Sequence, residues 1–466
     1  MRSPIRIESD LIAGLATPPG MSGVAVVRLS GPGLPDLLFP LLRRPHGKPV
    51  YPEWFKPRFM HRLDLVDLED GLLLDQALVV YFPAPHSFTG EAQMEIHCHG
   101  STVVVDRLLA LLTRLGVRMA APGEFSRRAC HNGKLDLTQA EALLALIHAS
   151  TLRVAREAAR QMQGSLAASV GEVRSGLLDL LAQVEADLDF ADEEIDPADD
   201  VRLRQQLQAV QTRLAVLAKG GEAGRQWQHG LDLVIAGQPN VGKSTLFNCL
   251  VGREKAIVTP LPGTTRDLNE HPLEIQGIPL LLVDTAGLRQ SDELVEQEGI
   301  RRARARIGQA DGVLLLYDVR AGLGREEQAL AEELGPERLL LVANKLDLSP
   351  EQPNTLPAFW AGYSVMRISC RSGEGLAALQ EAIYARFARE PGAEEGTILL
   401  HARQREVMQR TEALTREALT QLEQGAPKEI VAQVLRSALE VIGEVAGETT
   451  HAQLLDHIFA QFCIGK

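Results

Sequence analysis

Cysteine is scarce in this 466-residue chain, and the few cysteines do not cluster. Cys98, Cys130, Cys249, Cys370 and Cys463 are odd in number, and no two stand at CxxC spacing. Neither a disulfide framework nor a zinc site is expected from them. No apolar run approaches the ~18 residues of a membrane-spanning helix. The start of the chain has no basic stretch leading into an apolar one. A cytoplasmic protein without membrane contact is therefore expected. Positive charge is also short, 48 Lys and Arg against 61 Asp and Glu, for a net charge of −13. That sign disfavours non-specific nucleic-acid binding by the whole surface, though not by a local basic groove. Hydrophobic residues at 45% and charged residues at 23% fit a globular chain. Its length suits about three domains of ~150 residues. No internal repeat or low-complexity segment is present.

What is present centres on residues 237–244, Gly-Gln-Pro-Asn-Val-Gly-Lys-Ser. This is the G-x-x-x-x-G-K-[ST] pattern of a phosphate-binding loop. An apolar run, Leu233–Ala236, precedes it as a buried strand would, and Thr245–Val251 reads as a helix. Strand, loop and helix together aim backbone N–H groups and a helix N-terminus at phosphate. Gly237 and Gly242 let the backbone turn and approach closely; Lys243 would neutralise the β- and γ-phosphates, and Ser244 would ligate Mg2+. Asp284-Thr285-Ala286-Gly287 follows a second apolar run, Leu280–Val283. Asp284 suits an indirect hold on Mg2+, and Gly287 can offer its N–H to the γ-phosphate. Asn344-Lys345-Leu346-Asp347 follows a third run, Leu339–Ala343. Asp347 can accept from both the ring N–H and the exocyclic amine of guanine, a donor pair that adenine lacks, so GTP is expected. Thr264-Thr265-Arg266 falls where a switch threonine should lie, and Ser369-Cys370-Arg371 is a weaker guanine-side loop.

In residues 1–123, Val24–Leu29, Ala77–Phe82 and Met94–Cys98 are strand candidates between Pro/Gly-rich turns, and Ser101–Leu115 is apolar at helical spacing. A compact α+β domain is expected. His97 and His99 share a strand face, but no further ligand stands at a recognisable spacing, so ordinary strand-end residues are favoured over a metal site. Residues 124–229 read as mostly helical, with Thr138 and Glu141 as a capping box and no Gly or Pro in Leu135–Gln163. The acidic stretch Asp187–Asp200 lacks calcium-loop spacing and reads as a solvated loop between helices. Residues 230–389 hold every GTP motif with strand and helix alternating, a doubly wound α/β domain. Residues 390–466 turn helical again, with Gly425-Ala426-Pro427 as a stop and a new start. Both helical flanks are amphipathic, and their simplest arrangement packs them together with the GTP domain inserted between. Cys463 stands four residues from the end, but a final Lys466 with no polybasic stretch before it makes a poor prenylation signal. A frayed tail is the plain reading there.

Gly-x-Pro-Asn-x-Gly-Lys-Ser, Pro-Gly-Thr-Thr-Arg-Asp and Asp-Thr-Ala-Gly-Leu-Arg resemble GTPases of the TrmE–Era class. Ala-Thr-Pro-Pro-Gly at 16–20, Ser-Phe-Thr-Gly-Glu at 87–91, Pro-Gly-Glu-Phe-Ser at 122–126 and the Cys-Ile-Gly-Lys end narrow the resemblance to the MnmE (TrmE) family of tRNA uridine-modification GTPases. The likeness runs from near residue 12 to 466. It implies a multidomain α/β chain: an N-terminal α+β folate-binding and dimerisation domain, a discontinuous helical domain and an inserted Ras-like GTPase domain. It implies a homodimer that joins the flavoprotein MnmG, two copies of each, with FAD on that partner. The expected activity adds a carboxymethylaminomethyl or aminomethyl group at C5 of the wobble uridine, U34, of certain tRNAs. GTP, Mg2+, K+ and a 5,10-methylene- or 5-formyl-tetrahydrofolate are the implied cofactors.

Carried over by position, Asn240 and the carbonyls of Thr259, Leu261 and Thr264 would ligate K+, and Ser244 and Thr265 would ligate Mg2+. Val241, Gly242, Lys243, Thr245, Pro260, Pro262, Gly263, Thr285, Ala286, Asn344, Lys345 and Ser369 complete the nucleotide and K+ contacts. Pro260 and Pro262 bracket Leu261, where the family more often has a non-proline, which predicts a stiffer loop. Arg28, Glu95 and Lys134 match folate-contacting positions, and Lys466 falls with them in the terminal motif. A carboxylate such as Glu95 suits the adjacent N–H donors of a pterin, and Arg or Lys suits the glutamate tail. Cys463 matches a residue needed for modification, in a role either nucleophilic or structural. Two other classes compete: a ribosome-assembly or regulatory GTPase switch, and a dynamin-like mechanical GTPase. The first wants a KH or second GTPase domain and the second a membrane-binding stretch; neither is seen in the sequence.

Hydrolysis poses its own question. Many GTPases orient water with a glutamine just after Asp-x-x-Gly. Here that position is Leu288, and Arg266 and Arg289 are arginine-finger candidates by position only. K+ on Asn240 would supply positive charge near the β–γ bridge. Glu296 would orient the attacking water, through a bridging water in an open switch, with Glu293 and Glu298 as its solvated alternatives.

Overall fold

The computed structural model describes residues 10–51, 53–189, 197–253, 270–284, 301, 304–349, 357–388, 400–447, 458–462 and 464–465. Thr259–Thr265, Thr285–Gly287, Glu296, Cys463 and Lys466 lie outside the described residues. The chain divides into two compact units, one of residues 1–144 with 440–466 and the other of residues 145–439.

The first unit is built on an eight-stranded sheet of order β4-β3-β5-β6-β7-β2-β1-β8. Its strands are β1 (Ile12–Leu15), β2 (Ser22–Ser30), β3 (Leu42–Arg44), β4 (Lys48–Pro49), β5 (His61–Val66), β6 (Leu73–Phe82), β7 (Gln93–Gly100) and β8 (Arg118–Met119). The three strands expected from sequence are β2, β6 and β7. Alternation explains how they sit: Met94, Ile96 and Cys98 of β7 and Val27 and Leu29 of β2 enter the core. Helix α1 (Thr102–Arg114) covers that core with Val105, Leu108, Leu111 and Leu112. Helices α2 (Glu124–His131) and α3 (Leu137–Ile147) follow.

Two expectations change here. The α3 cap is Asp136 with Gln139, not Thr138 with Glu141. Asp136 Oδ1 accepts from the Gln139 N–H at 2.8 Å, and Gln139 Oε1 accepts from the Asp136 N–H at 3.0 Å. Thr138 is drawn inside, donating to Asp136 Oδ1 at 2.6 Å. Among the described residues the end of the chain is packed at 458–462 and at Gly465, while Cys463 and Lys466 lie outside them. Ile458, Phe459 and Phe462 join Leu137 and Ala140 in a small core, and Gly465 lies so close to β1 that a Cβ on it would meet the Leu15 carbonyl at 2.3 Å.

The second unit contains helices α4 (Leu152–Met162), α5 (Ser165–Asp189), α6 (Pro197–His229) and α10 (Ala402–Glu423), and most of α11 (Lys428–Ala446). Buried residues on α5 run Leu166, Val170, Val173, Leu177, Leu180 and Val184, a stripe stepping by four and three. Leu203, Leu207, Val210, Leu214 and Leu217 continue the pattern on α6. Helix α6 packs along both α5 and α10, so the two sequence flanks do come together. The uninterrupted span Leu135–Gln163 is nevertheless broken, because Thr151 caps α4 by accepting from the Val154 N–H at 3.3 Å. Of the acidic stretch, Asp187 on α5 and Asp200 on α6 both pair with Lys428 at the start of α11, and residues 190–196 lie outside the described residues.

Between these helices in sequence lies a six-stranded sheet of order β10-β11-β9-β12-β13-β14. The strands are β9 (Leu231–Ala236), β10 (Glu270–Ile275), β11 (Ile278–Asp284), β12 (Gly312–Asp318), β13 (Leu339–Asn344) and β14 (Val365–Arg367). All neighbours are parallel except the edge pair β10–β11. β12 and β13 are buried at every position, as parallel strands covered on both faces require. Helices α7 (Lys243–Arg253), α8 (Arg325–Arg338) and α9 (Leu376–Phe387) complete this α/β layer.

Candidate nucleotide site and N-terminal cavity

Each nucleotide motif leaves the carboxyl end of a parallel strand, where open α/β sheets bind ligands. The 237–244 loop follows β9 in mid-sheet, Asp284 ends β11 and Asn344 ends β13. The loop's glycines are sterically required. A Cβ on Gly237 would meet the Leu316 carbonyl at 2.1 Å, and one on Gly242 would meet Asn344 Nδ2 at 2.5 Å. Asn240 takes a left-handed conformation, φ 63°. Lys243, at the start of α7, donates to the carbonyls of Gly237 and Gln238 at 2.9 and 2.7 Å. Its ammonium thus lies inside the loop's curve, where phosphate charge is to be met. The Ser244 hydroxyl donates to Asp284 Oδ2 at 2.8 Å, so the two Mg2+-directed groups are already together. Thr245 is exposed on the first turn of α7.

The guanine side is tied to the phosphate side by side chains. Asn344 Nδ2 donates to the Val241 carbonyl at 2.9 Å, and Lys345 Nζ to the Asn240 carbonyl at 2.8 Å. Asp347 is exposed and accepts from the buried Ser369 hydroxyl at 2.7 Å, which aims its carboxylate. The Cys370 N–H donates to Asn344 Oδ1 at 3.1 Å. The Ser-Cys-Arg loop is thus hydrogen-bonded to both Asp347 and Asn344. Asp318, not singled out from sequence, ends β12 and receives Lys345 at 3.1 Å and Arg320 at 2.7 Å. The Arg320 hydrogen bond above all, then Lys345, holds its carboxyl far below the usual range. The signal for Asp318 was its place after an apolar run, which Asp284 and Asn344 share. The donor set fits a nucleoside triphosphate with Mg2+: an ammonium, a helix start, a hydroxyl beside a carboxylate, and an Asp for the base. Of the expected K+ ligands, Asn240 alone lies among the described residues.

In the first unit, the β2–β7 register sets Arg28 opposite Glu95. The cross-strand pair closes at 2.9 Å. Arg28 also stands 5.8 Å from the ring centres of Phe88 and Phe125 and donates to the Gly465 carbonyl at 3.3 Å. A cavity of about 280 Å³ is lined by Arg28, Phe82, Phe88, Gln93, Glu95 and Leu143. Period two puts Gln93, Glu95 and His97 on one face of β7. Gln93 and His97 both contact the Glu95 carboxylate, at 3.4 and 3.3 Å, and His99 pairs with Asp75 at 2.7 Å. Gln93, whose buried Oε1 has no hydrogen-bond partner, lines this apolar-walled cavity beside a carboxylate and a guanidinium. That chemistry fits a flat, nitrogen-rich ring carrying acidic groups. Gln93 was missed from sequence, although its two-residue spacing from Glu95 placed it on the same face. Lys134 is exposed, lies against the Gly90 turn and is not among the lining residues.

Residues 11–134 match the family model "GTP-binding protein TrmE N-terminus", and residues 137–463 match "MnmE helical domain". The chain is 45% identical to a tRNA modification GTPase MnmE of Magnetococcus marinus over 100% of both chains. It is 43% identical to that of Methylococcus capsulatus over 98% of this chain and 99% of the other, and 38% to that of Syntrophus aciditrophicus over the same shares. Among solved structures, Era in complex with MgGDPNP and a segment of 16S ribosomal RNA is 23% identical over 39% of this chain and 66% of its own, at a TM-score of 0.28. No helix among the described residues is long and apolar enough to cross a membrane. With both family models matched and relatives aligned along the whole chain, the protein belongs to the MnmE family of tRNA modification GTPases.

Proposed function

We propose that this chain hydrolyses GTP in a K+-dependent manner and, with the flavoprotein MnmG, adds a carboxymethylaminomethyl or aminomethyl group at C5 of U34 in certain tRNAs. The observation that carries the GTP part is the double tie of Asn344 and Lys345 to the phosphate loop at Val241 and Asn240. It couples recognition of the base to the shape of the phosphate cradle. Lys243 and the start of α7 face the phosphates, Ser244 with Asp284 holds Mg2+, and Asp347 reads guanine. Mg2+ supplies charge neutralisation at the phosphates when bound. Asn240 contributes to K+ binding, with Thr259, Leu261 and Thr264 as its further ligands and Thr265 as the second Mg2+ ligand. Glu296 positions the water.

The one-carbon part rests on the N-terminal cavity. Arg28, Glu95 and Gln93 would hold a tetrahydrofolate derivative, its ring edge against Glu95 and Gln93, with Phe88 alongside. Lys134 would meet the glutamate tail from outside. The chain works as a homodimer and in a complex of two chains with two of MnmG, Lys466 contributing to cofactor binding and Cys463 to the modification, in a nucleophilic or structural role. Domain limits at 1–123, 124–229, 230–389 and 390–466 belong to the same reading. Nucleoside mass spectrometry of tRNA tests it. A strain lacking this gene should lose the C5-modified wobble uridine and regain it with the wild-type chain. Unchanged tRNA in the deletion strain would refute the proposal.

A further inference from the structure

Two thiols meet on the guanine side of the nucleotide site. Cys249 is on α7 and Cys370 in the loop after β14; both are free and half-buried against the same core. The Cys249 thiol donates to the Cys370 carbonyl at 3.3 Å. The Cys370 N–H is the donor held by Asn344 Oδ1 at 3.1 Å, and Asn344 in turn grips the Val241 carbonyl. The pair is therefore one hydrogen bond away from the side chain that joins the guanine loop to the phosphate loop.

We propose that Cys249 and Cys370 form an oxidation site, at which a small-molecule disulfide converts the two thiols to a disulfide and thereby weakens guanine-nucleotide binding. The inference rests on the GTP reading given above. In the first step the Cys249 thiolate attacks one sulfur of the oxidant, breaking its S–S bond and releasing one thiol. In the second step Cys370 attacks the Cys249 sulfur of that mixed disulfide, and its proton leaves with the second thiol released. Two protein thiols are oxidised by two electrons and one disulfide is reduced to two thiols, so the exchange balances. The order follows from the surroundings. Burial, then the neighbouring Cys249, pushes the Cys370 thiol up to about 12. Cys370 stays protonated at neutral pH and acts second, because the thiolate is the attacking form.

The consequence for binding is geometric. A disulfide needs an S–S length of ~2.05 Å and Cβ atoms ~3.8 Å apart. Both thiols are free, with the Cys249 sulfur held on the Cys370 carbonyl and not on its sulfur, so bond formation draws the Cys370 loop toward α7. That loop carries Ser369, which aims Asp347, and the N–H that holds Asn344. A binding constellation tolerates shifts of only ~0.5 Å before it loses affinity.

The test uses the full chain and oxidised glutathione as the oxidant. After treatment, remaining thiols are alkylated, bridged peptides are identified by mass spectrometry, and GDP affinity is measured by calorimetry. The expected result is a Cys249–Cys370 bridge with GDP affinity at least tenfold weaker, restored by dithiothreitol. Cys249→Ser keeps a donor for the Cys370 carbonyl, and it should retain full affinity under the same oxidant. Cys249→Ala serves as a second such variant if serine disturbs α7. No bridge between these two residues, a bridged protein with unchanged affinity, or equal loss in both variants would overturn the inference. Reduced protein that does not bind GDP at all would overturn the nucleotide reading and this inference with it.

Discussion

Gly242 shows how tightly single residues are constrained in the nucleotide site. Its φ of 102° disfavours any side chain, and a Cβ would strike Asn344 Nδ2 at 2.5 Å. Gly242→Ala should weaken GDP binding at least tenfold by calorimetry, whereas Gly252→Ala, with nothing within 4 Å of its Cβ, should not. In the cavity, Glu95 receives Arg28, Gln93 and His97. Glu95→Ala should weaken 5-formyltetrahydrofolate binding while leaving GTP hydrolysis near normal; an unchanged titration removes Glu95 from that site. A third residue-scale device is the buried Arg128, 1% exposed, which binds Asp10, Glu91 and Glu124. Burial pushes the Asp10 and Glu124 carboxyls up, but hydrogen bonds from Arg118 and Arg128 outweigh it and hold both below their ordinary 3.8 and 4.5. A depressed carboxyl stabilises the fold above its unfolded value, and that stability is lost as pH falls through the folded value. Unfolding of the first unit should therefore become easier from about pH 4.5 downward. In Glu124→Gln the unit should be weaker at pH 7 and its acid dependence shallower, as urea titrations at both pH values would reveal.

Elements are held by stripes, and a long one is on α5. Leu177 is fully buried midway along it, between Val173 and Leu180. Leu177→Ala should cost about 2–5 kcal/mol in urea unfolding of the second unit. A change at the exposed Leu178 next to it should cost far less. The same stripes show what the sequence makes readable. Pro/Gly-rich turns marked off β2, β6 and β7, continuous apolar runs located β9, β11 and β13, helical spacing located α1, and a span without Gly or Pro located α10. The α3 cap was misplaced because Asp136 and Thr138 are both capping residues, and only the backbone shows that Asp136 accepts the Gln139 N–H. The α3–α4 break carried no Gly or Pro, so Thr151 was its sole mark. The packed tail could not be read from residues 458–465 alone, because its partners Leu137, Ala140 and β1 lie more than 300 positions earlier in the chain. The nucleotide motifs were legible because they are contiguous; Asp318 and Gln93 were missed because neither belongs to such a motif, although an apolar run before the one and a two-residue spacing from Glu95 for the other marked their places.

At the scale of the whole molecule, a net charge of −13 opposes tight, stand-alone tRNA binding, since phosphate contacts dominate such affinity. The purified chain with all small substrates should leave tRNA unmodified until the flavoprotein partner is added; modification by the chain alone would contradict that division of labour. The central claim is a guanine-nucleotide site that works with K+ and a carboxylate in place of an arginine finger and glutamine. Asn240, the proposed K+ ligand, has a left-handed backbone, and its carbonyl accepts from Lys345. Single-turnover GTP hydrolysis, measured in K+ and in Na+ for the wild type and Glu296→Ala, tests it most directly, with Glu293→Ala and Glu298→Ala as controls. The account predicts a several-fold faster rate in K+, and a ~10²-fold lower rate for Glu296→Ala with nucleotide affinity barely changed. Equal rates in the two salts, or a full rate for Glu296→Ala, would contradict it.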